Sequence, residues 1–454
     1  MQQMYQHDLK PLLKLALPLV LTGLIGSCIG FFETVFLAHL SHKAMAAGAL
    51  VSWLFGVFVV IIFGTLSAIN VLVSHRYGAK DIPGIAGVMR DSLLLAVLLS
   101  IPSMFLFWNM APIFLIFGQK PSLVVAATPY LHALVFGLLP TFIVVALSEL
   151  LLGIGHAKQV MLSTILSVAM TLLFSFTLIF GIGGAPQLGI AGAGWGTTLS
   201  AWIMMFVLIT FFAFSPRYHA YFREIFHLKK TIHLWELLKT GLPMGIMYCF
   251  EVGFFFALTL IAGSFSAQAL TANQIAFQYM GTLMTVIFSI AQAVTVRMGH
   301  LLGAKEFASV KRAKNAGVIL SIAFMSFWAI VYWVCPKILI SVDFDVHHPD
   351  NLPIVQLAVQ LLAVSALFQL FEGTRITLFG ALRALKDTRF TLICSIISFW
   401  GIALPVGYML ATWFHLQGVG LWWGMVVGAG FSMLLLWWRF NSLYAKEISS
   451  LSRT

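Results

Sequence analysis

Four glutamates and one arginine stand inside stretches that are otherwise apolar: Glu33, Glu149, Glu251, Glu372 and Arg375. An ionisable group in hydrocarbon costs about 2.5–3.5 kcal/mol on insertion scales, so each position is a candidate for function. Glu33 follows Pro18 by fifteen residues, and Glu251 lies in the run GLPMGIMYCFEVGFFF. A carboxyl group withdrawn from water favours its neutral form, so a glutamate so placed can hold a proton and release it when a cation arrives. The competing reading for Glu33, Glu251 and Glu372 is a structural acid hydrogen-bonded between helices. That reading is the better one for Glu149, which stands closest to a span end. Glu372 and Arg375 are three apart and share a helical face. There Arg375 is either a structural partner of Glu372 or part of a gate. The amides Asn273, Gln274 and Gln278 add polar groups nearby, the last two four apart on one face. With 40 Phe, 19 Met and 13 Trp in the chain, a carboxylate in such surroundings suits amphipathic organic cations, through charge pairing, cation–π contact and adaptable thioethers.

The elements that hold these residues follow from composition. Of 454 residues, 60% are apolar and 9% charged, with a mean hydropathy of +0.98; soluble domains carry about 25% charged residues. Too few polar side chains exist to coat a water-facing globule, which excludes soluble enzymes, disordered hubs and disulfide scaffolds. An all-α polytopic membrane protein remains. A span needs about 20 mostly apolar residues, and the polar clusters delimit twelve: 12–38, 45–74, 89–117, 122–152, 160–182, 189–215, 237–263, 269–299, 314–340, 353–382, 389–413 and 418–441. The first is too long for a signal-peptide core. Pro18, Pro102, Pro140, Pro243 and Pro405 fall inside spans, where each removes a backbone hydrogen bond and permits a bend. Pro18 and Pro243 are the candidate hinges. The net charge of +11 arises at the ends of apolar runs, not on a nucleic-acid-binding face. With a cytoplasmic N-terminus, all basic residues but Lys43, Lys120, Lys337 and the intramembrane Arg375 fall on the cytoplasmic side, as the positive-inside rule requires. Both termini are then cytoplasmic.

The chain also repeats itself. Shifted by 225 positions, Leu12, Lys14, Leu17 and Pro18 meet Leu237, Lys239, Leu242 and Pro243, and Ser41, Ala44, His75, Gly78 and Lys80 meet Ser266, Ala269, His300, Gly303 and Lys305. Shared apolar composition would give about a third as many matches and would not favour the polar ones. At a shift of 228, Gly192, Trp195 and Gly196 meet Gly420, Trp423 and Gly424. The expected organisation is an N-lobe of six helices over 1–215, a cytoplasmic linker over 216–236 and a C-lobe over 237–454. Two pseudo-symmetric six-helix bundles of equal orientation form a parallel repeat, and proteins so built place a binding site between the bundles and alternate access by rocking. Secondary transport is the function class this predicts.

Other motifs lead nowhere. GIGGAPQLGIAGAGWG has the glycines of a dinucleotide fingerprint without its strand–turn–helix context, so close helix packing through small residues explains it better. No Walker lysine is present. Cys28, Cys249, Cys335 and Cys394 have no metal or disulfide spacing. His347 and His348 form an outer-loop pair for which a metal role is the lesser reading, and no cofactor is expected.

LALPLVLTGLIGSCIGFFETVFLAHLS, INVLVSHRYGAKD, GLPMGIMYCFEVGFFF, TANQIAFQYM, AVTVRMGHLLGAKE and FEGTRITLFGALRALKDTR together resemble the multidrug and toxic compound extrusion (MATE) family, in its bacterial multidrug-efflux branch. The resemblance covers nearly the whole chain. It implies an inner-membrane antiporter with a V-shaped central cavity between two lobes, exporting cationic amphiphiles in exchange for H+ or Na+, with sodium candidates at Glu251 and Glu372. Glu251 matches the branch's acid in span 7. Glu33 and Glu372 stand where the family usually has aspartate, and Arg375 where the branch often has glutamine. These departures favour protons over sodium, because a nearby guanidinium opposes a bound Na+.

The expected function is therefore export of cationic organic molecules by a monomer in the bacterial inner membrane. A lipid-linked oligosaccharide flippase of related fold is the runner-up, and it would favour a cavity rich in Lys and Arg. A membrane-embedded enzyme is the third reading, with Glu149, His156 and Asp387 a poor catalytic set.

Overall fold

The computed structural model describes residues 9–224, 233–342, 345, 346 and 348–451. Lys229, Lys230, His347 and Arg453, which figure in the charge pattern and the histidine pair, lie outside the described residues. Every regular element among the described residues is helical, and twelve helices are long and apolar enough to cross a membrane. They are α1 (Lys10–Leu40), α2 (His42–Gly78), α3 (Ile82–Trp108), α4 (Pro121–Gly153), α5 (Ala157–Phe180), α6 (Ile190–Phe214), α7 (Leu234–Phe265), α8 (Ala267–Gly303), α9 (Phe307–Val334), α10 (Pro349–Ala384), α11 (Thr388–Thr412) and α12 (Gln417–Lys446).

Two spans begin about seven residues earlier than expected. Asp81 caps α3 by accepting the Gly84 N–H at 2.9 Å, which starts that helix at Ile82 rather than near residue 89. Arg90 and Asp91, just past the expected start, do not interrupt the helix, because they pair at 3.0 Å with Asp91 fully buried. On α9, Lys314 is 1% exposed and lays its ammonium 4.1 Å from the Trp437 ring, so that cation also sits inside a helix rather than before one.

The repeat is visible in the turns. Ser41 and Ser266, 225 positions apart, are extended N-caps whose side chains accept the N–H groups of Ala44 and Ala269 at 3.0 Å, the usual use of serine at an N-cap. Lys80, Lys305 and Lys386 all adopt positive φ, as Gly155 does at the corresponding place after α4. In each case the next residue donates its N–H five positions back: Asp81 to Arg76, His156 to Leu151, Glu306 to Leu301 and Asp387 to Leu382. This six-to-one closure satisfies carbonyls that a helix end would leave bare.

Small residues set the helix spacing. A Cβ on Gly192 would stand 2.6 Å from the Ile179 nitrogen, and one on Gly196 would strike Ser175, so the α6 glycine face lies directly on α5. A Cβ on Gly420 would stand 2.5 Å from the Ala411 nitrogen, and one on Gly424 would strike the Ala403 carbonyl, so α12 lies on α11 in the same way. The α6 end of the glycine run is a packing surface, whereas Gly181, Gly183, Gly184 and Gly189 take positive φ in the connection before it. One feature has no counterpart in α5: α11 contains a π-helical segment, Ile397–Ala403, that ends two residues before Pro405, whereas α5 is α-helical throughout.

The helices cluster into two compact units, Leu21–Gly245, and Met1–Val20 together with Ile246–Thr454. Counted along the sequence, six spans lie on either side of 216–236; by packing, α1 and α7 each divide their length between the units. The boundaries, Val20/Leu21 and Gly245/Ile246, are again 225 positions apart, and each lies two residues beyond the span's proline, Pro18 or Pro243.

Candidate ion-coupling sites

In the Leu21–Gly245 unit, Glu33 of α1 is 5% exposed. Tyr130 Oη of α4 donates to its Oε2 at 3.2 Å, and Thr197 Oγ1 of α6 donates to its Oε1 at 3.1 Å. Ser52 Oγ of α2 lies 3.3 Å from the same Tyr130 hydroxyl. Hydroxyls of α4 and α6 thus reach one carboxyl group on α1, with Ser175 of α5 also beside it and α2 acting only through Tyr130. Their approach depends on Gly194, where a Cβ would stand 2.8 Å from the Tyr130 carbonyl oxygen and from Ala133 Cβ. Among the described residues, no cationic side chain partners this carboxyl group.

The second constellation lies in the other unit. Glu251 of α7, Glu372 of α10 and Arg375 of α10 are 7%, 4% and 3% exposed. Arg375 grips Glu372 through both oxygens, Nε to Oε2 at 2.8 Å and Nη2 to Oε1 at 2.6 Å, and its Nη1 donates to Glu251 Oε1 at 2.9 Å. Ser395 Oγ of α11 donates to that same Glu251 oxygen at 2.7 Å. The guanidinium carbon stands 4.8 Å from the centre of the Phe399 ring, inside the π-helical segment. Trp400, next in that segment, donates from Nε1 to the Phe250 carbonyl at 3.0 Å. The wide turn therefore fixes α11 to α7 beside Glu251, in keeping with the frequent placement of π turns at functional sites.

The remaining buried acids are tied into the scaffold. Asn70 of α2 donates to Glu149 Oε2, and Asp91 of α3 accepts the His233 N–H at 2.8 Å at the start of α7. Asn273 accepts from Trp422 Nε1 at 3.0 Å, within an aromatic cluster formed by Phe277, Phe368 and Trp422. Gln274 and Gln278 lie on the exposed side of α8. Of the sequence-derived site residues, then, Glu251, Glu372 and Arg375 meet directly. Glu33 has its own cluster in the other unit, and the three amides occupy two different faces of α8.

The sequence profile of the MatE family matches residues 18–177 and 243–409. The chain belongs to the MATE family. These two matched segments begin at the paired prolines Pro18 and Pro243, so each half carries one copy of the family's pattern. Along nearly its whole length the chain is similar to bacterial MATE relatives. It is 31% identical to the probable multidrug resistance protein NorM of Pseudomonas putida, over 97% of this chain and 96% of that one. It is 32% identical to the multidrug resistance protein NorM of Burkholderia vietnamiensis, over 94% and 92%. Among solved structures it superposes on a MATE protein in the bent conformation with a TM-score of 0.85 at 17% identity, covering 100% of this chain and 99% of that one. An outward-facing multidrug resistance MATE transporter gives 0.84 at 17%, covering 100% and 98%. MATE proteins are transporters and not enzymes, and this one is a multi-pass membrane protein of twelve candidate spans.

Several members of the two candidate sites escape sequence reading. Tyr130, Thr197 and Ser395 are hydroxyl residues among many in the spans, and nothing in their spacing to the acids marks them. Phe399 is one of 40 phenylalanines. Asp91 carries a signal that was available, an acid inside a helix, but Arg90 beside it imitates the polar end of a span.

Proposed function

We propose that this MATE protein is a secondary antiporter of the bacterial inner membrane, with cytoplasmic termini, that exports cationic amphipathic compounds by alternating access in exchange for protons. The observation that supports this most directly is Glu33: a 5%-exposed carboxyl group held by hydroxyls and, among the described residues, by no cationic side chain. A buried acid so balanced takes a proton or an organic cation in turn, and the multidrug resistance names of the NorM relatives supply the cargo class. Glu251, tied to Arg375 and Ser395, is the second exchange group. Pro18 and Pro243 act as hinges, where each broken backbone hydrogen bond permits α1 and α7 to bend close to the points at which they pass between units. Each proton moving inward down the membrane potential releases about 2.3 kcal/mol per 100 mV, which supports export against a gradient.

Glu251→Gln abolishes drug resistance in cells while leaving the amount of membrane-inserted protein unchanged. Reconstituted protein exports a cationic dye when only a pH gradient is imposed. Normal resistance in the variant refutes the role of Glu251, and absence of dye movement under any ion gradient refutes the antiport reading itself.

A further inference from the structure

We propose that Arg375 is a tethered cation that closes the Glu251–Glu372 pair to sodium, making this side chain the determinant of ion specificity in its unit. Two carboxylates brought from different helices into one buried place are what an alkali cation would need as ligands. Here three of the four carboxylate oxygens already accept hydrogen bonds from within the cluster. Both Glu372 oxygens receive Arg375 at 2.8 and 2.6 Å, and Glu251 Oε1 receives Arg375 at 2.9 Å and Ser395 at 2.7 Å. The guanidinium is planar, permanently charged and matched to carboxylates by its forked donors. It is 3% exposed and covered by the Phe399 ring, so it is held in place by packing as well as by charge.

A free ion would have to displace a competitor that cannot diffuse away, at the high effective concentration that tethering confers. It would also have to sit a few ångströms from a second positive charge. At an effective dielectric of about 20, that repulsion weakens binding by roughly a thousandfold. A proton feels the same repulsion but escapes the competition, since it bonds to a single oxygen and leaves the guanidinium where it is. The four carboxylate oxygens and one guanidinium leave the cluster one negative charge in excess, and Glu251 Oε2 is the oxygen without a hydrogen bond among those described. The residues present therefore do not fit a sodium ion, whereas replacing Arg375 by an uncharged amide would leave two acids facing each other and a place for one.

The physiological meaning of this inference rests on the antiport reading; the binding chemistry does not. The test is thermal unfolding of purified full-length protein in sodium chloride against choline chloride at equal ionic strength. The native protein is expected to unfold at the same temperature in both salts. Arg375→Gln is expected to gain a saturable rise of a few degrees in sodium, which Glu251→Gln in the same chain removes. A saturable sodium effect in the native protein, or a folded Arg375→Gln variant indifferent to sodium, overturns the proposal. Should Arg375→Gln fail to fold, dye export by the native protein in liposomes decides the matter. Export driven by a sodium gradient at equal pH on both sides refutes the inference, and export driven by a pH gradient alone sustains it. If the native protein moves no dye under either gradient, the antiport reading fails while the salt comparison still reports on Arg375.

Discussion

Tyr130 offers the sharpest test of how Glu33 is held. Its hydroxyl donates to Glu33 Oε2 at 3.2 Å and the residue is 2% exposed, so Tyr130→Phe removes one oxygen and leaves the packing nearly intact. A hydrogen bond to a charged group contributes about 1.5–3 kcal/mol to stability and one between neutral groups about 0.5–1.5 kcal/mol. The cost of the substitution therefore reports the charge on Glu33. When the carboxyl group is protonated, Tyr130→Phe destabilises by about 0.5–1.5 kcal/mol; when it is ionised, the loss grows by about 1–1.5 kcal/mol. The sign follows from the direction of donation, because an O–H binds a carboxylate more strongly than a carboxylic acid. Denaturant titration of the purified protein at acid and at alkaline pH measures both costs. The same pair of titrations in a Glu33→Gln background is the control, since the amide has no proton to lose and the difference must vanish. A Tyr130→Phe cost that is equal at both pH values across the titration of Glu33, or a difference that survives in the Glu33→Gln background, shows that Glu33 is not an exchanging acid and that its hydroxyl cage is ordinary scaffold.

Two further outcomes concern the scaffold itself. Lys305 adopts φ 62° while its neighbour Ala304 is right-handed, so Lys305→Gly is expected to stabilise by about 0.5–1 kcal/mol and Ala304→Gly to destabilise by a similar amount; shifts of the same sign in thermal unfolding would contradict the turn geometry. A side chain at Gly424 meets backbone of Ala403 and Gly407, whereas one at Gly26 meets nothing within 4 Å. Gly424→Leu is accordingly expected to cost more than about 3 kcal/mol and to lose the monodisperse peak in size-exclusion chromatography, while Gly26→Leu keeps it.

Twelve spans, their repeat and the acids within them were legible because each is a local or periodic signal. A run of some twenty apolar residues admits few other readings, and an i, i+3 pair such as Glu372 and Arg375 shares a face on any helix. The meeting of Arg375 with Glu251, 124 positions earlier, is a property of how α7 packs on α10, and no local pattern encodes it. The hydroxyl partners were hidden for a different reason. Most serines and threonines in these helices turn back onto their own carbonyls, as Thr259 and Thr285 do, which is the usual behaviour of such residues. Thr197 does this and reaches Glu33 as well. Only coordinates distinguish it from Thr259. Charges misled where they were already paired: Arg90 with Asp91 imitated the end of a span, though the pair lies well inside α3.

The wide turn of α11 bears on how a duplicated protein departs from symmetry. In a regular α-helix Ser395 and Trp400, five residues apart, would point about 140° from one another; one surplus residue in the turn lets both address α7. Its twin α5 keeps the regular winding from end to end. A gene that doubles begins with interchangeable halves, and a single local unwinding of this kind is enough to make one half's ancestral plan unusable in the other, so that transplanting α5 into the place of α11 would restore the symmetry and forfeit the alignment of Ser395 with its acid.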